Sequence, residues 1–401
     1  MKLTKNKAGH EDKTYCDGVI PMSLLKLPPN ARIEKIEWAI LQGERPRSAG
    51  SNARIGVHGK TVSERMARVT IDGVSGFGWS LLTKEEAEPL IGKTVSEIFH
   101  PENGFIQPQF RSIEFALLDW AGQILQKPVY ELISRQAISG PVAVPCYDTS
   151  LYFDDLLLDN DAEAVKLLQS EAAEGWDKGH RNFKIKIGRG GRYMPNVEGM
   201  RRDIAIVRGI REYTGPDSRI MVDANNGYNL NLTKEFLLGV EDTKLYWLEE
   251  AFHEDDQLYA DLREWMKQRE MHVLISDGEG LAAPPIVDWA EKGLIDIIQY
   301  DIRFYGFTNW LELGIRLDKS KIKSAPHNYG SGYGGYASGH LALALDGFQF
   351  VEWDTIVVEG IDASGYSISD GMLHVPSKAG FGLDLDGSYF SRMVTENGWR
   401  L

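Results

Sequence analysis

FKIKIG, residues 183–188, decides how the chain is read. Lys184 and Lys186 alternate with Phe183, Ile185 and Ile187. A period of two sends side chains to opposite faces of a strand, so one face is apolar and the other carries two ammonium groups. The same layout, an apolar or aromatic run ended by a charged residue, recurs downstream. It delivers Asp223 in IMVDAN (220–225), Glu249 in LYWLEEA (245–251) and Glu279 in LISDGEG (274–280). Asp301 in IIQYDI (297–302), His327 in KIKSAPH (321–327) and Glu352 in FQFVEW (348–353) complete the series. From Lys186 onward these residues stand 37, 26, 30, 22, 26 and 25 positions apart. A strand, a helix and two loops take about that many residues. With VPCYDTSL (144–151) the run has eight strands, separated by helical stretches such as MRRDIAIVRGIREYTG (200–215) and TKEFLLGVED (233–242). Such alternation predicts an α/β fold with a parallel sheet, and eight strands favour a closed barrel. In a parallel barrel the strand C-termini meet at one face, where catalytic groups gather.

Upstream the texture changes. Residues 1–30 are polar and read as an arm. RIEKIEWAIL (32–41) and SERMARVTIDG (63–73) read as strands, and KEEAEPLIGKTVSEIF (84–99) as helical segments around Pro89. RSIEFALLDWAGQILQKPVYELIS (111–134) is the strongest helix signal, and its apolar residues do not fit one narrow stripe, which predicts burial on several sides. Between the two strands, GERPRSAGSNARIGVHG (43–59) has little to pack and is expected to be a mobile loop. Its Arg45, Arg47 and Arg54 are candidates for gripping a substrate. After about residue 360 short strands and turns return. The organisation expected is an N-terminal α+β domain over 1–142, a barrel over 143–360, and a segment 361–401 that packs back on the first domain.

The bulk numbers narrow the function classes. The 401 residues carry 44 Lys and Arg against 58 Asp and Glu, a net charge of −14, which argues against a nucleic-acid binder. Cys16 and Cys146 are the only cysteines, too few for a disulfide framework and outside any CxxC motif. No stretch approaches the roughly 18 apolar residues of a membrane span, and the start of the chain has no apolar signal core. A cytoplasmic location and no membrane partner are expected.

Asp223, Glu249 and Glu279 end three successive strands, and hard oxygen ligands of this kind suit Mg²⁺. Any one of them alone is as well explained as a solvated loop carboxylate; three in register favour a metal. Asn225 shares the face of Asp223 and is a candidate for metal or substrate, and Glu250 and Asp277 are neighbouring alternative ligands. Lys184 and Lys186, if both face the interior, are expected to depress each other's pKa and make an amine a usable base. Asp301 can orient the His327 imidazole and raise its proton affinity. Glu352 can hydrogen-bond a substrate oxygen or pair with a lysine. GRGGR (188–192) lacks phosphate-loop spacing and reads as a flexible loop, with Arg189 or Arg192 near substrate.

With these residues in view, the chain resembles the enolase superfamily, specifically its mandelate racemase-like subgroup, which includes acid-sugar dehydratases. In that family a K-x-K motif ends the second barrel strand, matched by Lys184-Ile185-Lys186. Three metal ligands end the next three strands, matched by Asp223, Glu249 and Glu279. An Asp–His dyad is matched by Asp301 and His327, and a last-strand acid by Glu352. The resemblance implies a modified TIM barrel, (β/α)₇β, with an α+β capping domain built from both termini, and a homo-oligomer. It implies Mg²⁺ and abstraction of the proton α to a carboxylate, with Lys186 and His327 as acid and base. The sequence departs from the family at Glu249-Glu250-Ala251, where E-E-P is usual, and in the Gly- and Tyr-rich HNYGSGYGGYASGH (327–340), whose Tyr329 is a further substrate candidate. Dehydration of an acid sugar to a 2-keto-3-deoxy acid is the expected reaction. A racemase or epimerase is the alternative within the chemistry, and a non-catalytic sugar-acid binding protein the alternative outside it.

Overall fold

A computed structural model gives the structure, and it describes residues 24–134, 137–138, 140–280 and 282–401. Most of the expected arm, and Cys16 with it, lies outside the described residues. The first layer is an antiparallel meander of β1 (Ile33–Ala49), β2 (Gly59–Ile71) and β3 (Val74–Trp79). Asp72 and Gly73, both at positive φ (45° and 75°), make the two-residue turn between β2 and β3, the conformation that matches strand twist in a tight hairpin. Strand β1 runs well past residue 41, because Glu44 finds Thr61 on β2 and Val357 on its other edge. The loop expected over 43–59 is therefore shortened to 50–58, and Arg45 and Arg47 belong to a strand.

Two short helices, α1 (Lys84–Ala87) and α2 (Val95–Ile98), each open on a Thr–Glu capping box. The helix expected over 111–134 divides into α3 (Glu114–Leu125) and α4 (Val129–Ile133). Gln126 stops α3 in the left-handed conformation and Pro128 precedes α4, both ordinary helix breaks. Residues 114–122 of α3 are all buried, as the lack of a stripe predicts. Helix α3 lies so close on β3 that a Cβ at Gly76 would collide with the Trp120 backbone.

The barrel strands are β4 (Val142–Leu151), β5 (Phe183–Lys186), β6 (Ile220–Asp223) and β7 (Trp247–Glu249), followed by β8 (Leu274–Asp277), β9 (Ile297–Ile298), β10 (Lys323–Ser324) and β11 (Val351–Trp353). Between them, in chain order, stand α5 (Asp161–Asp177), α6 (Asn196–Thr214), α7 (Leu230–Gly239), α8 (Asp256–Lys267), α9 (Ile286–Glu291), α10 (Phe307–Lys319) and α11 (Gly332–Leu341). Strands β4 to β10 pair in parallel in sequence order. The two ends of this run meet through β11, which is parallel to β4, and through a single bridge from Ser324 to Phe348. The result is the (β/α)₇β architecture. Tyr147, Met221, Trp247, Ile297, Ala325 and Phe350 fill the interior below the site.

Register places the functional face. Lys186 pairs with Asp223, Asp223 with Glu249, and Glu249 with Ser276, so the charged strand ends stand side by side. The tail divides its contacts. Val357–Val358, Trp399–Arg400 and a helix missed in the sequence reading, α12 (Gly387–Asn397), attach to β1. The hairpin of Ser367–Ser369 and Met372–Val375 pairs instead with the first half of β4. Among the described residues no helix is long and apolar enough to cross a membrane.

Candidate active site

Asp223, Glu249 and Glu279 bring one carboxylate oxygen each within 4.8 Å of one another, a group able to hold a metal ion. Asp223 and Glu249 are buried and Glu279 is half-buried. Glu249 is fixed by three donors: Lys184 Nζ at 2.9 Å, Trp247 Nε1 at 3.1 Å and Gln299 Nε2 at 3.0 Å. Asp223 accepts from Lys186 Nζ and, through Oδ1, from the Asn225 backbone at 2.9 Å. Glu279 Oε2 is buried and accepts no hydrogen bond of good geometry, although His327 Nε2 lies 3.1 Å away. Three carboxylates with an unpaired oxygen and no thiolate or imidazole among them fit a hard divalent cation.

Neither alternative ligand belongs to this converging group of three. Asp277 is held by Tyr259 Oη and the Gly278 backbone, and Glu250 accepts from Asn225 Nδ2 at 3.1 Å. Asn225 keeps its Oδ1 buried and unpaired beside the triad.

Both lysines face inward, and the expected depression of pKa between them is outweighed by the neighbouring carboxylates. Burial opposes the charge of Lys184, yet Glu249 and Glu352 hold its pKa well above the ordinary lysine range. For Lys186, burial again opposes, and Asp223 outweighs both it and the repulsion from Lys184, giving a raised pKa. Glu352 takes the lysine-partner role of its two readings: Lys184 Nζ is 2.7 Å away, with Thr149 Oγ1 at 2.7 Å and the Asn328 N–H at 2.8 Å.

Asp301 and His327 form a parallel bridge just beyond β9 and β10. His327 Nδ1 lies 2.9 Å from Asp301 Oδ2, leaving Nε2 toward Glu279. Burial alone would lower the imidazole's pKa, but Glu279, Glu352 and Asp301 lift it to about 9. Burial would raise Asp301, and Arg303 and His327 push it far below the usual carboxylate range instead. Arg303 also donates to the Tyr329 carbonyl at 2.7 Å, tying the dyad to the loop after β10.

The arginines of the sequence reading are largely spoken for. Arg45 makes a two-pronged pair with Asp354 at 2.9 and 2.7 Å and sits over the Tyr329 ring. Arg47 faces Asp154, Glu171 and Glu174 at 3.2–3.4 Å. Arg54, half exposed, reaches to 3.7 Å from Glu250. Arg189 is buried between Asp155 and Asp203, and Arg192 donates to the Ala53 and Arg54 carbonyls, so neither arginine of GRGGR lines the site as expected.

Four residues around the site escaped the sequence reading. Glu114 accepts from the first two N–H groups of α10, and Glu64 accepts from Ser331 Oγ and the first N–H of α11. His58 and Tyr152 lie against Tyr329. Each sits in an unremarkable local sequence, and only its distant partners mark it.

Residues 167–389, more than half of the chain, match the family described as Enolase C-terminal domain-like. A point mutant of galacturonate dehydratase from Geobacillus sp., complexed with Mg, superposes with a TM-score of 0.92 at 52% identity, over 94% of this chain and 98% of that one. Galacturonate dehydratase from Geobacillus sp. complexed with D-galacturonate and 5-keto-4-deoxy-D-galacturonate gives a TM-score of 0.90 at 53% identity, over 93% of this chain and 100% of that one. Arabinonate dehydratase of Saccharolobus solfataricus is 26% identical over 288 residues, 69% of this chain and 70% of that one.

Proposed function

The chain belongs to the enolase C-terminal domain-like family, and from that premise we propose that it is a Mg²⁺-dependent dehydratase of a sugar acid, with a hexuronate of the D-galacturonate type as substrate. The observation that carries this reading is a filled set of three carboxylates, two lysines and an Asp–His dyad in a chain 53% identical to a galacturonate dehydratase. Asp223, Glu249 and Glu279 would hold the cation. When bound, it supplies positive charge to the substrate carboxylate, which makes the neighbouring C–H more acidic.

The protein's own groups do the rest. Lys186 and His327 flank the α-carbon. Lys186 takes the α-proton as the free amine, the form open to it once a cation engages Asp223, while His327, its Nδ1 held by Asp301, gives a proton from Nε2 to the departing β-hydroxyl. Water leaves, and the enol tautomerises to an α-keto, β-deoxy acid; for D-galacturonate that is the 5-keto-4-deoxy acid. Lys184 and Glu352 stay paired beneath the site and keep the carboxylate cluster ordered. Two bases on separate strands also suit epimerisation, and product analysis separates the two.

The test is incubation of the purified protein with Mg²⁺ and a panel of uronates, aldonates and aldarates, in H₂O and D₂O. A keto-deoxy acid with solvent deuterium is expected from D-galacturonate. An inverted acid with no keto acid from any substrate would replace dehydration by epimerisation.

A further inference from the structure

We infer that His58 and Tyr329 recognise the uncharged end of the sugar acid, and that the site admits a monocarboxylic acid while refusing a second carboxylate there. This rests on the dehydratase reading above and assigns the half of the site remote from the metal carboxylates.

Position comes first. The 50–58 segment is seated on the barrel. The Phe153 N–H donates to the Ser51 carbonyl at 2.9 Å, and Arg192 donates to the Ala53 carbonyl at 3.1 Å. Ala53 rests where two barrel loops have no side chain: a Cβ at Gly188 or Gly227 would stand 3.2 and 2.7 Å from its own. The segment's end, His58, is held at its base, the His58 N–H donating to the Ala49 and Gly50 carbonyls at 3.1 and 3.2 Å. His58 meets Tyr152 and Tyr329 edge-on, both at 5.0 Å, and those two rings stack at 5.0 Å and 26°. Lys186 Nζ lies 5.3 Å from the Tyr152 ring centre. The three rings thus continue outward from Lys186 toward the cap, where the far end of a substrate anchored on the carboxylates must lie.

Polar chemistry comes second. His58 Nε2 is buried with no hydrogen-bond partner, and the buried Tyr329 hydroxyl makes none of good geometry, with the Tyr152 side chain beside it. Buried polar atoms are normally paired, and unpaired ones at a site point to a ligand. Burial, and then the Lys186 and Arg45 charges, push His58 down to about 4, so it is neutral near pH 7. A neutral imidazole and a phenol can each donate and accept, which suits hydroxyl, hemiacetal or aldehyde oxygens.

Charge comes third. A second carboxylate needs a free cation, because a buried unpaired charge is strongly unfavourable. Arg45 is committed to Asp354, Arg47 to three carboxylates, and Arg54 is nearest to Glu250.

Steady-state kinetics of the full-length protein with Mg²⁺ test this. The wild type is compared with His58→Ala, His58→Gln and Tyr329→Phe on D-galacturonate and on the diacid galactarate. Loss of one hydrogen bond predicts KM raised about tenfold in His58→Ala and Tyr329→Phe, with a smaller change in kcat. His58→Gln, which keeps a donor and an acceptor, should recover most of the loss. The wild type should use galactarate at least about 100-fold less well in kcat/KM. An unchanged KM in both variants, or equal use of mono- and diacid, overturns the inference and leaves the dehydratase reading standing. A wild type that dehydrates no sugar acid overturns both.

Discussion

Glu249 shows at residue scale how a strand end becomes a ligand. Its carboxylate is oriented by Lys184, Trp247 and Gln299, all donors. Gln at this position removes the charge and turns one acceptor into a donor facing donors. Mg²⁺ affinity measured by calorimetry should fall by about 10–100-fold, and turnover should be lost; unchanged affinity would remove Glu249 from the metal site. His327 is separable from the metal. Asn in its place keeps a group that can reach Asp301 but has no proton to give. Dehydration should drop by about 10²–10⁴-fold, while α-proton exchange with D₂O continues through Lys186. Dehydration at the wild-type rate in this variant would discard the acid role. These strand-end residues are legible in sequence because their spacing repeats. His58 and Tyr152 are not, because a lone ring in a loop or strand has no pattern until Tyr329 is placed beside it.

Elements are held at the site by the cap. Helix α10 follows the Asp301 strand and α11 follows the His327 strand. The N-cap of α10 is Gly306, which has no side chain to offer. Glu114 of α3 takes that place, accepting from Phe307 and Thr308 at 2.6 and 2.8 Å. Glu64 of β2 adds to the cap of α11, where Ser331 Oγ already accepts from Gly334 at 3.1 Å, by accepting from Gly332 at 2.9 Å. A carboxylate at a helix N-terminus also meets the favourable end of the dipole. Gln at 114 leaves one orphan N–H facing an amide donor, and should cost about 1–3 kcal/mol in urea denaturation. A loss below about 0.5 kcal/mol, the range of a neutral surface change, would show that the cap does not anchor this helix. The sequence offers the strands and helices through their periodicity, but not these caps. The Gly-rich 327–340 stretch reads as loop for the same reason. Part of it becomes α11 (Gly332–Leu341), within which a Cβ at Gly334 would collide with the Asn328 side chain, so glycine there serves packing.

At the scale of the whole molecule, α4, α11 and the tail share a buried histidine. His340 Nδ1 accepts from the Tyr130 N–H at 3.1 Å, and Nε2 lies 2.9 Å from Tyr366 Oη. Burial pushes its pKa down from the ordinary 6.5 to about 3. The unfolded chain therefore binds a proton that the folded one refuses between those values, so stability falls as pH drops from 6.5 toward 3. The slope from this one group is at most about 1.4 kcal/mol per pH unit. Thermal unfolding of His340→Gln should lack that part of the acid slope; a slope equal to the wild type's would assign it to other groups. The same contrast runs through the entire chain. Alternation and spacing are local properties, and they point to eight barrel strands, helices between most of them, and the ends at which Lys186, Asp223, Glu249, Glu279, Asp301, His327 and Glu352 stand. Long-range pairing decided the rest. Strand β1 extends to Ala49 because partners lie on both its edges. Arg45 and Arg47 pair with barrel carboxylates rather than standing free, and the lysine pKa values are raised, in the absence of a cation, because Glu249, Glu352 and Asp223 converge on them. A buried charge is set by whichever opposite charges the fold brings within a few ångströms, and residues that lie tens to hundreds of positions away in sequence leave no trace in the local pattern.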